Sequence, residues 1–195
     1  EAVFTAVEPE PEGLPFTDVT SGDWFYDDVV FAYENGLFSG TTATTFSPYA
    51  PMTRAMLVTV LYRLEGEPTV TGRSSFTDVR SGAYYEKSVI WAAANGIVTG
   101  TDSTSFSPDA KVTREQLAAI LYRYAQYRKL DTDASAKLNS FTDADSVSAY
   151  ASEALGWAVS EGLINGASGK LMPKGDATRA QVAAILHRLV KNVLN

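Results

Sequence analysis

The sequence predicts a mainly α-helical fold: three tandem helix-loop-helix repeats in a bundle about a pseudo-threefold axis. Three observations carry that expectation. A set of short anchors recurs three times, in the same order, along 195 residues. Each copy holds two stretches whose apolar residues fall at i, i+3 and i+4, the spacing of one helix face. A single copy of about 55 to 65 residues also has too little core to fold well alone. The copies must therefore bury their apolar faces against each other, and the second helix of each is expected to do so.

The anchors define the unit. Phe16-Thr17-Asp18-Val19 returns as Phe76-Thr77-Asp78-Val79 and as Phe141-Thr142-Asp143-Ala144, at intervals of 60 and then 65 residues. Thr53-Arg54, Thr113-Arg114 and Thr178-Arg179 keep the same intervals. Between them align Gly36, Gly96 and Gly162, and then Gly40, Gly100 and Gly166. Phe46-Ser47-Pro48 matches Phe106-Ser107-Pro108, with Leu171-Met172-Pro173 as a weaker third copy. The third copy has one extra residue before Tyr150 and one fewer after Gly166. Residues 1–14, rich in Glu and Pro, read as a linker from an upstream region. Modules follow at 15–68, 69–132 and 133–195. The chain opens on Glu1 rather than Met and is expected to be a piece of a longer protein.

In each copy a first helix is expected after Trp24, Tyr84 or Tyr150. Its apolar face is Val29, Ala32, Tyr33; Val89, Ala92, Ala93; or Leu155, Ala158, Val159. Phe31, Trp91 and Trp157 fall off that face and are assigned to packing between modules. Asn35-Gly36, Asn95-Gly96 and Glu161-Gly162 stop the helix. The second helix opens at Thr53, Thr113 or Thr178, each a good N-cap. Gln116 and Gln181 sit three residues on and complete capping boxes, which Met56 cannot do. The second helices bury Leu57, Val60, Leu61, Leu64; Leu117, Ile120, Leu121, Tyr124; and Val182, Ile185, Leu186, Leu189.

Composition excludes several functions. A net charge of −7 repels phosphate backbones, so nucleic-acid binding is not expected. No apolar run reaches the length of a membrane span, and no basic segment leads into an apolar one as in a signal peptide. Without cysteine there is no disulfide, thiolate metal site or cysteine nucleophile. Asp102-Ser103-Thr104-Ser105 begins like a calcium loop but lacks the Gly and Glu such a loop requires, so no metal or other cofactor is expected. The single histidine, His187, aligns with Tyr62 and Tyr122 and reads as an ordinary helix residue.

The order Phe-Thr-Asp-Val, aromatic, helix, Gly-Thr loop, Phe-Ser-Pro, Thr-Arg helix resembles the S-layer homology module, over roughly residues 16 to 190. The family's Thr-Arg-Ala-Glu element stands here as Thr53-Arg54-Ala55-Met56, Thr113-Arg114-Glu115-Gln116 and Thr178-Arg179-Ala180-Gln181, none with the final Glu. The resemblance implies a three-pronged, non-covalent anchor at the bacterial cell surface. Grooves between its modules would bind secondary cell-wall polysaccharide, often bearing a pyruvyl ketal on N-acetylmannosamine. It also implies a central ligand-binding role for Arg54, Arg114 and Arg179.

The residues themselves make that chemistry reasonable. Arginine in the first turn of a helix opposes the helix dipole at a cost of a few tenths to about 1 kcal/mol. Helix stability therefore does not explain its threefold use, and an anion would, since helix-start N–H groups also attract anions. A guanidinium binds a carboxylate through two parallel hydrogen bonds. The competing reading pairs each arginine with Asp18, Asp78 or Asp143. Those aspartates are candidates for ligand contact, for capping or for turn formation. Trp24, Tyr84 and Tyr150 either stack on a sugar face or pack the helix entrance. Gly40, Gly100 and Gly166 either meet a turn's needs or admit a ligand closely.

The function expected is polysaccharide binding by a domain that is monomeric in isolation and does not enter the membrane. The alternative is a structural or protein–protein module on the same fold. An enzyme is not expected, because the candidate residues are spread over three copies while an active site needs one asymmetric set.

Overall fold

A computed structural model describes residues 13–194. Most of the expected linker, residues 1–12, lies outside the described residues. Among the described residues six α-helices occur, two per module: α1 (Tyr26–Glu34), α2 (Arg54–Leu64), α3 (Glu86–Ala94), α4 (Arg114–Tyr127), α5 (Ser152–Ser160) and α6 (Arg179–Leu189). Among the described residues there are no strands, only isolated bridges. The fold is the mainly helical, three-repeat one expected.

The capping chemistry works as the residues dictate. Thr53, Thr113 and Thr178 each accept the N–H three residues on, and Gln116 and Gln181 return the bond to complete capping boxes. The first helices stop at Asn35, Asn95 and Glu161, where the following Gly36, Gly96 and Gly162 take φ of +66°, +69° and +68°. Only glycine adopts that left-handed turn without strain.

Packing departs from expectation in two ways. The helices that lie side by side are α2 with α3, α4 with α5, and α6 with α1. Each second helix thus packs on the first helix of the next module, and the last closes on the first, rather than on the other second helices. Each such pair is one prong, built from two modules. Secondly, the buried face of the first helix is wider than the i, i+3, i+4 stripe. Trp91 and Trp157 are buried, whereas Tyr33 is exposed. The prong seam is the reason: Trp91 meets Tyr62 of α2 at 5.6 Å and Trp157 meets Tyr122 of α4 at 5.7 Å. Phe31 stacks on His187 of α6 at 4.3 Å, and Asp28 reaches the same imidazole at 2.8 Å. All three aromatics therefore pack between modules, and His187 does more than fill a helix position.

Between the prongs a ring of backbone hydrogen bonds ties the modules together. Met52 N donates to Ala177 O at 2.8 Å, Ala177 N to Val112 O at 2.8 Å, and Val112 N to Met52 O at 2.9 Å. All three residues are fully buried. Each lies just before a Thr-Arg pair, so the ring brings the three second-helix starts together.

Candidate ligand-binding grooves

The start of each second helix is not free. Arg54 N and Ala55 N donate to Ala110 O and Pro108 O of the neighbouring loop, and Met56 N is taken by the Thr53 hydroxyl. The same holds at Arg114 and Glu115 (Gly175 O, Pro173 O) and at Arg179 and Ala180 (Ala50 O, Pro48 O). The expectation that free helix-start N–H groups attract an anion is corrected: module docking consumes them.

The arginine side chains reach across the same junction. Arg54 Nε donates to Phe106 O at 2.8 Å and its Nη2 to Thr99 O at 2.9 Å. Arg179 repeats this on Phe46 O at 2.7 Å and Ser39 O at 2.7 Å. Among the described residues Arg114 makes only the Nε bond, to Leu171 O at 2.7 Å. The guanidinium carbons of Arg54 and Arg179 also lie 4.8 and 4.5 Å from the centroids of Phe106 and Phe46. Among the described residues no ion pair within 4.0 Å involves any of the three arginines.

The aspartates hold the opposite side of the same peptides. Asp78 accepts from Phe106 N at 2.8 Å and Ser107 N at 2.7 Å. Asp18 does so for Phe46 and Ser47, and Asp143 for Leu171 and Met172. These bonds hold Ser47, Ser107 and Met172 at φ of 58°, 58° and 51°, a left-handed conformation costly for residues with a Cβ. Aspartate and arginine thus clamp one loop from two sides without forming the direct pair that the competing reading required.

Burial lowers the pKa of Arg54, Arg114 and Arg179, and for Arg54 the like charge of Arg123 adds to the effect. The attraction of Asp78, Asp143 and Asp18 opposes the burial effect from a distance. A guanidinium stays charged at neutral pH regardless. Among the described residues the result is three desolvated cations, each with a guanidinium nitrogen that bonds no protein acceptor and none with a contacting carboxylate.

Each lines the floor of a groove to which all three modules contribute. Groove A, about 560 Å³, takes Gly40, Met56 and Arg63 from module 1, Tyr84 from module 2 and Arg179 from module 3. Groove B, about 440 Å³, takes Gly100, Gln116 and Arg123 from module 2, Tyr150 from module 3 and Arg54 from module 1. Groove C, about 300 Å³, takes Gly166, Gln181 and Arg188 from module 3, Trp24 from module 1 and Arg114 from module 2. The fold therefore assembles the arginine, aromatic and glycine positions into three like sets, and leaves the aspartates behind the loops. Trp24, Tyr84 and Tyr150 are 59%, 65% and 55% exposed at the rims.

The glycines serve their own loops. A Cβ on Gly40 would lie 2.6 Å from the Phe16 ring and 2.7 Å from Thr45 O, and one on Gly100 2.8 Å from the Phe76 ring. Gly166 meets Lys170 O and Phe141 in the same way, at φ +68° in the shortened third loop.

Sequence reasoning missed a second arginine in every groove: Arg63, Arg123 and Arg188. They recur at the 60 and 65 intervals of the other anchors, which was the available signal. Arg63 and Arg188 lie in the last turn of α2 and α6, where a basic residue already suits the dipole, and Arg123 lies one turn before the end of the longer α4. Arg63 and Arg188 donate to Leu37 O and Leu163 O at 3.1 and 3.2 Å. Among the described residues no carboxylate lines any of the three grooves, although the chain carries a net charge of −7.

The family model of the S-layer homology domain matches residues 15–55, 75–118 and 140–183. The chain belongs to the S-layer homology family. It is 32% identical over 187 residues to an endoglucanase of Bacillus sp. (strain KSM-635), covering 95% of this chain and 20% of that protein. It is 33% identical over 152 residues to the surface-layer 125 kDa protein of Lysinibacillus sphaericus, covering 73% of this chain and 12% of the relative. An amylopullulanase of Thermoanaerobacterium thermosulfurigenes is 30% identical across 90% of the chain and 9% of its own length. The chain spans a fifth or less of these relatives. Proteins named for different activities share this one S-layer homology region, so a common catalytic step is not what unites them. Among the described residues no helix is long and apolar enough to cross a membrane.

Proposed function

We propose that this S-layer homology region anchors its parent protein non-covalently at the bacterial cell surface by binding an acidic secondary cell-wall polysaccharide in grooves A, B and C. The supporting observation is the charge of the grooves. Each holds two arginines from different modules and an exposed aromatic, with no carboxylate in its lining among the described residues, on a protein that carries a net charge of −7. A pyruvyl ketal on N-acetylmannosamine supplies the matching group: a carboxylate ionised at neutral pH, fixed on a sugar ring.

In this reading the buried arginine and its groove partner (Arg54 with Arg123, Arg114 with Arg188, Arg179 with Arg63) receive the carboxylate. Trp24, Tyr84 and Tyr150 take the sugar face. Gly40, Gly100 and Gly166 let the groove loop lie close, and Asp18, Asp78 and Asp143 act indirectly by fixing that loop. Three weak sites on a repeating polymer gain by avidity, which suits an anchor.

Sedimentation with purified walls tests the reading. The domain should pellet with walls carrying the polymer and stay in solution with walls stripped of it. A folded Arg63→Ala/Arg123→Ala/Arg188→Ala variant should lose most of that binding. Equal pelleting on stripped walls would instead favour a protein–protein module.

A further inference from the structure

The three grooves are alike in plan, and one of the positions at which they differ carries a charge in only one copy. The residue after the buried arginine is alanine at 55 and 180 and glutamate at 115. Glu115 is buried, at 4% exposure, and its carboxylate is fully engaged by module 3. It accepts from Ser148 N at 3.0 Å, Ser148 Oγ at 2.9 Å, the Tyr150 hydroxyl at 3.1 Å and Lys174 Nζ at 2.7 Å. Lys174 also donates to Ser148 Oγ, which closes the cluster.

Tyr150 is the rim aromatic of groove B. The residue is 55% exposed, so packing alone does not fix it. The bond from its hydroxyl to Glu115 does. Tyr84 and Trp24 occupy the same place in grooves A and C, where Ala55 and Ala180 offer no carboxylate. A ring already held in place loses less freedom when a ligand stacks on it. The adjacent Lys174 ammonium neutralises Glu115, so the carboxylate does not cancel the charge that Arg54 and Arg123 present in the groove.

We infer that Glu115 is a positioning residue that holds Tyr150 ready over groove B, and that this makes groove B the tightest of the three for an acidic sugar. The inference rests on the reading of the grooves as acidic-sugar sites. Glu115 touches no ligand itself; it acts through the phenol.

Amide resonances of Gly40, Gly100 and Gly166 report the three grooves separately during titration with pyruvylated N-acetylmannosamine. In the unmodified protein Gly100 should reach its midpoint at the lowest sugar concentration. Glu115→Ala should raise that midpoint about three- to tenfold, the cost of ordering one side chain, and leave Gly40 and Gly166 unmoved. Tyr150→Phe removes only the hydroxyl that bonds Glu115 and leaves the ring, so it keeps the fold and should give the same shift. The double variant should be no worse than either single one. A Gly100 midpoint that neither substitution moves, or additive effects, would overturn the positioning role alone. No response at any of the three glycines would overturn the acidic-sugar reading and this inference with it.

Discussion

Replacing Arg123 by alanine separates binding from folding. Arg123 is half-buried on α4, lines groove B and makes no hydrogen bond or ion pair among the described residues. Its like charge also depresses the neighbouring Arg54. Nothing in the fold is lost with it, so stability should stay within about 0.5 kcal/mol, equivalent to about 1–2 °C in midpoint for a domain of this size. A charge-assisted hydrogen bond to a ligand carboxylate contributes about 1.5–3 kcal/mol. The open groove keeps it at the lower end, so affinity at groove B should fall about tenfold. Arg54→Ala is the contrast. It orphans the Phe106 and Thr99 carbonyls as well, at about 1–3 kcal/mol each, and should destabilise the fold as it weakens binding. Thermal unfolding and titration followed at Gly100 read the two effects apart. Unchanged groove-B affinity in folded Arg123→Ala would refute the account of the groove as a two-arginine carboxylate site.

Further outcomes follow from the same geometry. Trp157→Ala should cost about 3–5 kcal/mol in urea unfolding, because it empties the α4–α5 seam. Gly100→Ala should distort the groove-B loop and weaken Gly100-reported binding, since its Cβ would lie 2.8 Å from the Phe76 ring. Burial raises the Glu115 carboxyl, but hydrogen bonds from Lys174, Ser148 and Tyr150 outweigh it and hold the group below its usual value. The stability it contributes is therefore present above about pH 4.3 and is lost as pH falls through the folded value, so Glu115→Gln should flatten the acid limb of the stability profile. Burial, then the charge and hydrogen bond of Glu115, push Tyr150 up to about 12. That contribution is complete below about pH 10 and is lost as pH rises toward 12, and Tyr150→Phe should remove it from an alkaline titration.

Much of this was legible in the residues. The recurring anchors located the six α-helices, and Thr53, Thr113 and Thr178 marked the second-helix starts because capping is local chemistry. Local pattern says nothing of which helix meets which. The side-by-side packing of α6 on α1 depends on partners far away in the chain, whereas Trp91 and Trp157, lying off the helix stripe, could be assigned to packing between modules and do pack there. The same limit applies at the site. The recurring Arg, aromatic and Gly positions could be picked out, but not that each groove draws its arginine from one module and its aromatic from another. The helix-start N–H groups looked free because Pro108, Pro173 and Pro48, whose carbonyls take them, belong to other modules. Arg63 and Arg188 went unread because a last-turn position has an ordinary explanation in the helix dipole, and Arg123 because a lone basic residue on a helix reads as a solvated one.

Calorimetric titration of the domain with pyruvylated N-acetylmannosamine, beside the same sugar without its pyruvate, tests the central claim most directly. The account predicts binding to the pyruvylated sugar and none to the other, with a loss of affinity in Arg123→Ala. Equal binding of both sugars, or of neither, would contradict carboxylate recognition by the paired arginines.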